Sequence, residues 1–131
     1  MPLNIELKPH EKLFLNGAVI SNGPGRAQFT LLNDAAVLRE RDILNEERAD
    51  SPCKRLYLAV QLMYMDPPSQ ARYQEWLQAL RQDISQAAPS TESFLADIDA
   101  AVLAGEYYKG LKAARKLIEY EEELLRHARS A

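Results

Sequence analysis

Residues 51–64 of the chain read SPCKRLYLAVQLMY, and the fold prediction starts from the helix that this segment indicates. Ser51 offers a hydroxyl cap, and Pro52 suits the first position of a helix. Apolar residues then recur at helical spacing, at Leu56, Val60 and Met63. Neighbouring apolar residues widen that face until the helix is apolar most of the way round. We therefore expect it at the buried centre of a domain.

Three more helices are predicted after this one. The second carries apolar residues in steps of three and four, at Tyr73, Trp76, Leu77, Leu80 and Ile84. Prolines in the segments 66–68 and 87–91 separate it from its neighbours, and Gly105 closes the third helix. The last helix is expected from about Tyr107 to Arg126. Short connecting loops favour antiparallel packing, so a bundle of about four helices is predicted.

The residues before this helical part follow a different pattern. Residues 3–8 (LNIELK) alternate apolar and polar side chains, which predicts a half-buried strand. Further short strands are expected around residues 12–16, 18–20, 26–32 and 36–38. The strongest turn signal in the chain is SNGPG at residues 21–25. The prediction is an α+β protein, with a small antiparallel β-sheet (or small barrel) and a linker over residues 1–50 and a helical subdomain over residues 51–131.

Composition bounds the class of protein. The chain has 131 residues, of which 47% are hydrophobic and 27% charged, as in ordinary globular domains. No apolar run approaches the ~20 residues that a transmembrane helix needs, no secretory signal is visible, and the single cysteine fits a reducing compartment. A cytoplasmic protein is expected, with neither membrane nor DNA as a partner. The net charge of −3 excludes a broad basic surface, so any RNA contact must come from a local patch.

Few residues carry catalytic chemistry. The two histidines, His10 and His127, stand at opposite ends of the chain, and with one cysteine no soft-ligand metal spacing exists. The acidic run 119–123 fans around a helix and is predicted to be a solvated face. Cys53, just inside the first helix, is either a thiol of lowered pKa or, more commonly in such positions, a half-buried small residue. No catalytic residue, metal or cofactor is predicted, and the chain is expected not to be an enzyme.

Basic residues are the better candidates for a binding surface. Arg39 and Arg41 lie two residues apart, so in an extended segment they share a face and can fork onto phosphates or guanine edges. The alternative is that they form salt bridges with neighbouring acidic residues, namely Glu40, Asp42 or Glu46.

A second basic surface is predicted on the last helix. Lys109, Lys112 and Lys116 recur at helical spacing, with Arg115 beside them, although such a stripe is more often a solvated face. The aromatic residues of the helices are predicted to be core residues and not base-stacking platforms; they are Tyr57, Tyr64, Tyr73, Trp76, Tyr107 and Tyr108.

Several stretches of the chain are informative in combination. They are MPL and ELKP within residues 1–9, NGAVI at 16–20, VLRERDIL at 37–44, ADSPCKR at 49–55, and AVQLMY at 59–64 followed by DP. In this order they resemble the FlbT family of flagellar biosynthesis repressors over nearly the whole chain. The resemblance implies a post-transcriptional regulator that associates with the 5′ untranslated region of flagellin mRNA and represses its translation or promotes its degradation. Some members act positively, and the family works with a second small protein, FlaF.

The N-terminal part carries a more distant likeness. EKLFLNG at residues 11–17 and VLRE at residues 37–40 are similar to strands of the carbon storage regulator CsrA, a small all-β dimer that binds GGA-containing RNA loops. This resemblance implies a CsrA-like sheet and places Arg39 at the position of an arginine that contacts RNA. The outward residues of the first strand are Asn4, Glu6 and Lys8, where that family has basic residues.

The RNA-binding prediction therefore ranks the basic residues. Arg39 comes first, followed by Arg41, Lys54 and Arg55, and then by Lys109, Lys112 and Lys116. The alternative function is a protein-interaction adaptor that binds FlaF or flagellin and affects the mRNA indirectly, which the acidic net charge favours. The edges of a small sheet also make a homo-oligomer an expectation.

Overall fold

The computed structural model describes residues 2–130, which divide into two compact units. Within these residues, the unit that ends at Ile43 holds five short strands, and the unit that begins at Leu44 holds four α-helices. The α+β prediction is confirmed. The boundary between the units follows Ile43, whereas composition had indicated a boundary after residue 50, seven residues later.

The strands of the first unit form two small sheets. They are β1 (Leu3–Leu7), β2 (Lys12–Leu15), β3 (Ala18–Ser21), β4 (Ala27–Leu31) and β5 (Val37–Arg39). β1 pairs antiparallel with β4, whereas β2 lies between β3 and β5 in a second antiparallel sheet. One small antiparallel sheet or a small barrel was expected. The division follows from the loop after β3, where the Asn22 Nδ2 donates to Lys8 O at 2.8 Å and to Gly25 O at 2.9 Å and so returns the chain to the end of β1.

The apolar face of β1 forms the core of this unit. Ile5 and Leu7 are 3% and 2% exposed and pack with Leu13, which is fully buried. Leu3 is 49% exposed, so the buried face predicted from the alternation begins at Ile5. The hairpin between β2 and β3 turns at Asn16-Gly17, where both residues have positive φ. Asn-Gly is the pair that suits a two-residue hairpin turn, because both residues tolerate this left-handed conformation.

The second unit consists of four packed helices and their connections within the described residues. The helices are α1 (Pro52–Met65), α2 (Gln70–Ala87), α3 (Glu92–Leu103) and α4 (Tyr107–Ser130). Ser51 caps α1, since its hydroxyl accepts a hydrogen bond from Lys54 N at 3.2 Å. α1 is the buried centre, as expected, and packs against both α2 and α4.

The end of α3 is fixed by a C-terminal capping motif at Gly105. Gly105 has φ +75°, Glu106 N donates to Ala101 O at 2.8 Å, and Gly105 N donates to Val102 O at 3.0 Å. This pair of bonds is a Schellman motif, which needs the left-handed residue that glycine adopts without a Cβ clash. It closes α3 where the sequence predicted.

Leu44 belongs to the helical unit because it is bonded to α1. Leu44 N donates to Gln61 Oε1 at 2.8 Å, and Gln61 Nε2 donates to Leu44 O at 3.0 Å. Gln61 is only 2% exposed, so this reciprocal pair satisfies a buried amide. A one-turn 3₁₀ helix, Glu46–Arg48, follows, and Ala49 is buried. The polar segment 45–50 is therefore ordered structure and not a free linker.

Candidate nucleic-acid interface

Arg39 lies at the end of β5 in a polar setting. Its Nη1 donates to Glu6 O at 2.9 Å and is 3.8 Å from Glu11 Oε2, and 29% of the side chain is exposed. The ion-pair partner is therefore Glu11, and not the neighbouring acidic residues named in the salt-bridge alternative. Among those, Glu40 instead accepts a hydrogen bond from Lys12 N at 3.1 Å. The hydrogen bond and the ion pair of the Arg39 guanidinium both use Nη1, so its Nε and Nη2 have no partner among the described residues.

A groove of about 590 Å³ runs beside Arg39 in the first unit. Its walls come from β1, β4 and the Arg39 side chain, and the residues that line it are Asn4, Ile5, Glu6, Gln28, Phe29, Thr30 and Arg39. Thr30 Oγ1 donates to Asn4 Oδ1 at 2.9 Å, so two of the polar groups are held in place by each other. Amide, hydroxyl and guanidinium groups together can form hydrogen bonds with the edge of a base, whereas the sequence had indicated only the guanidinium.

Arg41 does not line this groove. It lies in a one-turn 3₁₀ helix, Glu40–Asp42, which begins directly after β5. The expectation that Arg39 and Arg41 share a face required an extended backbone, and this helix replaces it. Arg41 is exposed, and it has no hydrogen bond or ion pair with the part of the chain that the structure describes.

Lys54 and Arg55 have different surroundings in the second unit. Lys54 Nζ pairs at 3.2 Å with Oδ1 of Asp50, which lies four residues earlier, just before the N-cap of α1. Arg55 is exposed and lines a second groove of about 480 Å³. The other residues of this groove are Glu46, Ala49, Leu58, Leu62, Arg72, Tyr73 and Trp76. We call it the α1–α2 groove.

Three residues of the α1–α2 groove were not predicted as binding residues. Arg72 is exposed; its guanidinium carbon lies 5.0 Å from the ring centroid of Tyr73, and its Nη2 donates to the Tyr73 hydroxyl at 3.1 Å. Tyr73 and Trp76 are half-buried, so they border solvent and are not the core residues that the apolar stripe indicated. The four-residue spacing of Arg72 and Trp76 was a usable signal, since it puts both on one helix face.

The lysine stripe of α4 is a solvated face. Lys109, Lys112 and Lys116 are exposed, whereas residues 110, 111, 114 and 117 of the same helix are buried. Lys109 Nζ pairs with Glu106 Oε2 at 3.2 Å, and Lys112 Nζ lies 5.2 Å from the Tyr108 ring centroid. The stripe and the α1–α2 groove do not share lining residues. Arg115, which is also exposed, donates from Nη2 to the Tyr57 hydroxyl at 3.4 Å.

Cys53 and the acidic run meet at the start of α1. Cys53 is 3% exposed, and Glu121 Oε2 accepts a hydrogen bond from its backbone N at 3.3 Å. Burial raises the pKa of the Cys53 thiol, and the nearby Glu121 carboxylate raises it further. Of the two alternatives for Cys53, the thiol of lowered pKa is therefore wrong, and the residue is a small apolar one, buried more deeply than the half-buried position expected. The solvated-face prediction is also wrong for Glu121, which accepts a second hydrogen bond from the Ser51 hydroxyl at 2.6 Å.

The described residues contain neither a cluster that could hold a metal ion nor a helix that could span a membrane. Among residues 2–130, no group of three or more histidine, cysteine, aspartate or glutamate side chains is placed to hold a metal ion. No helix in the described part of the chain is both long enough and apolar enough to cross a membrane.

Known proteins of one family are similar to this chain over almost its whole length. A family model described as "Flagellar protein FlbT" matches residues 3–125. The chain is 44% identical over 125 residues to the "Probable flagellum biosynthesis repressor protein FlbT 1" of Bradyrhizobium diazoefficiens, covering 95% of this chain and 85% of that protein. It is 41% identical over 132 residues to the "Flagellum biosynthesis repressor protein FlbT" of Caulobacter vibrioides, covering 99% and 94%. It is also 41% identical over 125 residues to the Rhodopseudomonas palustris relative, covering 95% and 98%. No solved structure matches significantly.

Proposed function

Because this chain belongs to the FlbT family, we propose that it represses flagellum biosynthesis by associating with the 5′ untranslated region of flagellin mRNA. Repression of flagellum biosynthesis follows the names of its relatives. Binding to the leader is the proposed mechanism of this repression, and its consequence would be lower translation or faster degradation of the message. The protein would act in the cytoplasm as a regulator without turnover or cofactor.

The observation that supports RNA contact is the position of Arg39 in the groove of the first unit. A guanidinium with one engaged nitrogen stands beside amide and hydroxyl groups on a surface that is open to a ligand. Guanidinium and amide groups form paired hydrogen bonds with base edges. RNA-binding proteins of this kind read bases that are unstacked in loops, so a few such contacts carry the specificity.

The test is a titration of the purified protein into labelled flagellin leader RNA at two salt concentrations, with a scrambled leader as control. We expect selective binding that weakens at higher salt, since neutralised phosphates release counterions. Arg39→Gln should weaken leader binding by about 1–3 kcal/mol if its contact is bidentate. Arg26→Gln is the matched control, because Arg26 is an exposed arginine of the same unit whose ion pair with Glu6 spans 3.7 Å. Equal effects of the two variants would contradict the role of Arg39.

A protein-interaction adaptor is the second candidate, in which FlaF or flagellin is the partner and the mRNA is affected indirectly. Leu103 favours it, because this leucine is 90% exposed and lines an opening of about 420 Å³ with Val102 and Tyr107. The acidic net charge of −3 points the same way. A stable purified complex with FlaF or flagellin, together with no leader binding by well-folded protein, would replace the first proposal with this one.

A further inference from the structure

The α1–α2 groove places Arg55 of α1 beside a basic and aromatic face of α2 that carries Arg72, Tyr73 and Trp76. Arg55 lies on α1 in register with Leu58 and Leu62, at steps of three and seven residues, so these side chains share a face. On α2, Arg72 and Trp76 share a face at a four-residue step. Arg55 and Leu62 are separated by roughly 10 Å of helix rise. The groove is therefore a short trough with an aromatic wall and two arginines.

The volume of the trough suits a nucleotide. At about 480 Å³ it lies within the range of roughly 300–1,000 Å³ over which proteins bind small ligands. One face of Tyr73 is covered by the Arg72 guanidinium, at 5.0 Å from the ring centroid. Trp76 is half-buried and lines the same trough, which leaves the indole as the stronger stacking surface.

The charge of the trough favours an anionic ligand. Two arginines, Arg55 and Arg72, face one acidic residue, Glu46, so the lining is net basic in a chain whose net charge is −3. Arginine provides phosphate contacts, and a carboxylate can accept from the amino group of cytosine. Stacking of bases on aromatic side chains within a basic groove is how proteins bind single-stranded nucleic acid.

From this arrangement we infer that the α1–α2 groove binds an unstacked base of single-stranded leader RNA, with Trp76 as the stacking surface and Arg55 and Arg72 on the flanking phosphates. This rests on the proposed function, since it assumes that the leader is the ligand. It adds an RNA contact in the second unit to the one proposed at the groove beside Arg39 in the first unit.

Trp76 is the only tryptophan in the chain, so its fluorescence reports on this groove alone. Leader RNA should change Trp76 fluorescence in the full-length protein, with the same midpoint as a mobility-shift titration of the same RNA. The same leader segment annealed to its complement should leave the fluorescence unchanged, because duplexed bases are not available for stacking.

Substitutions then test the affinity. Trp76→Leu should weaken leader binding roughly 5- to 150-fold, as expected for one lost stacked base, while Trp76→Phe should retain most of it. Arg72→Gln keeps the indole in place and should weaken leader binding. Leader binding by this variant should then depend more strongly on Arg55, the arginine that remains in the groove. Arg48→Gln is the matched control, since Arg48 is an exposed arginine of the nearby 3₁₀ turn that does not line the groove.

The outcomes separate this inference from the proposed function. Selective leader binding with unchanged Trp76 fluorescence, or with equal affinity for Arg72→Gln and Arg48→Gln, would overturn the groove assignment and leave the function standing. No leader binding by the wild-type protein would overturn both. If Trp76→Leu does not fold, circular dichroism shows it, and the wild-type fluorescence and the Arg72 variant still decide the question.

Discussion

At the residue scale, single side chains work through partners that are distant in sequence. Glu121 accepts hydrogen bonds from the Ser51 hydroxyl at 2.6 Å and from Cys53 N at 3.3 Å, and so α4 supplies part of the cap of α1. Ser51 accepts from Lys54 N in turn, so two N–H groups in the first turn of α1, those of Cys53 and Lys54, each have a side-chain acceptor. The acidic run of α4 thus contains one structural member among residues that face solvent.

This arrangement predicts the cost of removing the distant partner. Glu121→Ala should lower the free energy of unfolding by about 0.5–2 kcal/mol, because it deletes an acceptor for the first turn of α1. It should also speed the reaction of Cys53 with a thiol reagent, since the buried thiol lies at the same helix end. Urea unfolding and thiol labelling measure the two effects. Glu122→Ala, which changes an exposed neighbour, is the control, and equal effects of both variants would refute the cap.

At the scale of elements, α2 and α3 are joined by a cluster of charged groups. Arg81 on α2 hydrogen-bonds Asp99 through Nε, and its Nη2 donates to Glu92 Oε1 at 2.7 Å. The Ser85 hydroxyl also donates to Glu92, at 3.0 Å. The hydrogen bonds from Arg81 and Ser85 lower the pKa of the Glu92 carboxyl.

The lowered pKa of Glu92 predicts how stability depends on pH. A carboxyl whose folded-state pKa is depressed stabilises the protein above its unfolded pKa of about 4.3, and this contribution is lost as the pH falls through the folded value. Glu92→Gln should therefore be less stable than wild type at pH 7, and the difference should shrink as the pH falls from 5 toward 3. Urea unfolding at several pH values measures it.

Glu75→Gln is the control for this experiment. Glu75 is an exposed carboxylate of α2 without a hydrogen bond or ion pair to the described residues. A stability deficit of Glu92→Gln that is the same at pH 7 and pH 3 would contradict the role assigned to the Arg81 contact.

At the scale of the whole molecule, the chain consists of two units with separate cores. The helical unit begins at Leu44 because Gln61, 2% exposed, depends on Leu44 for both of its side-chain hydrogen bonds. Composition alone had put the boundary after the polar segment 45–50. The hydrogen bonds to Leu44 make that segment part of the helical unit.

The location of this boundary is testable with two fragments. Residues 44–131 should fold alone, with helical circular dichroism and one cooperative transition. Residues 51–131 should be less stable by about 1–3 kcal/mol, because the buried Gln61 amide then lacks its partners. Thermal and urea unfolding compare the two. Equal stability of the fragments would return the boundary to the position that composition suggested.

The local elements of this protein can be predicted from short stretches of its sequence. Alternation marked β1, the Ser51-Pro52 pair marked the start of α1, and Gly105 marked the end of α3, because each of these signals acts over a few neighbouring residues. The sequence also singled out Arg39 and Arg55 as candidate binding residues.

The surroundings of these residues, in contrast, depend on the packing of elements that are distant in the chain. Residues from different elements come together in the two sheets, in the pairing of Arg39 with Glu11, in the cap from Glu121 and in the groove that Arg55 and Trp76 both line. Sequence spacing reports which side chains share a face of one element, whereas contacts between elements depend on how the whole chain packs to bury its apolar surface.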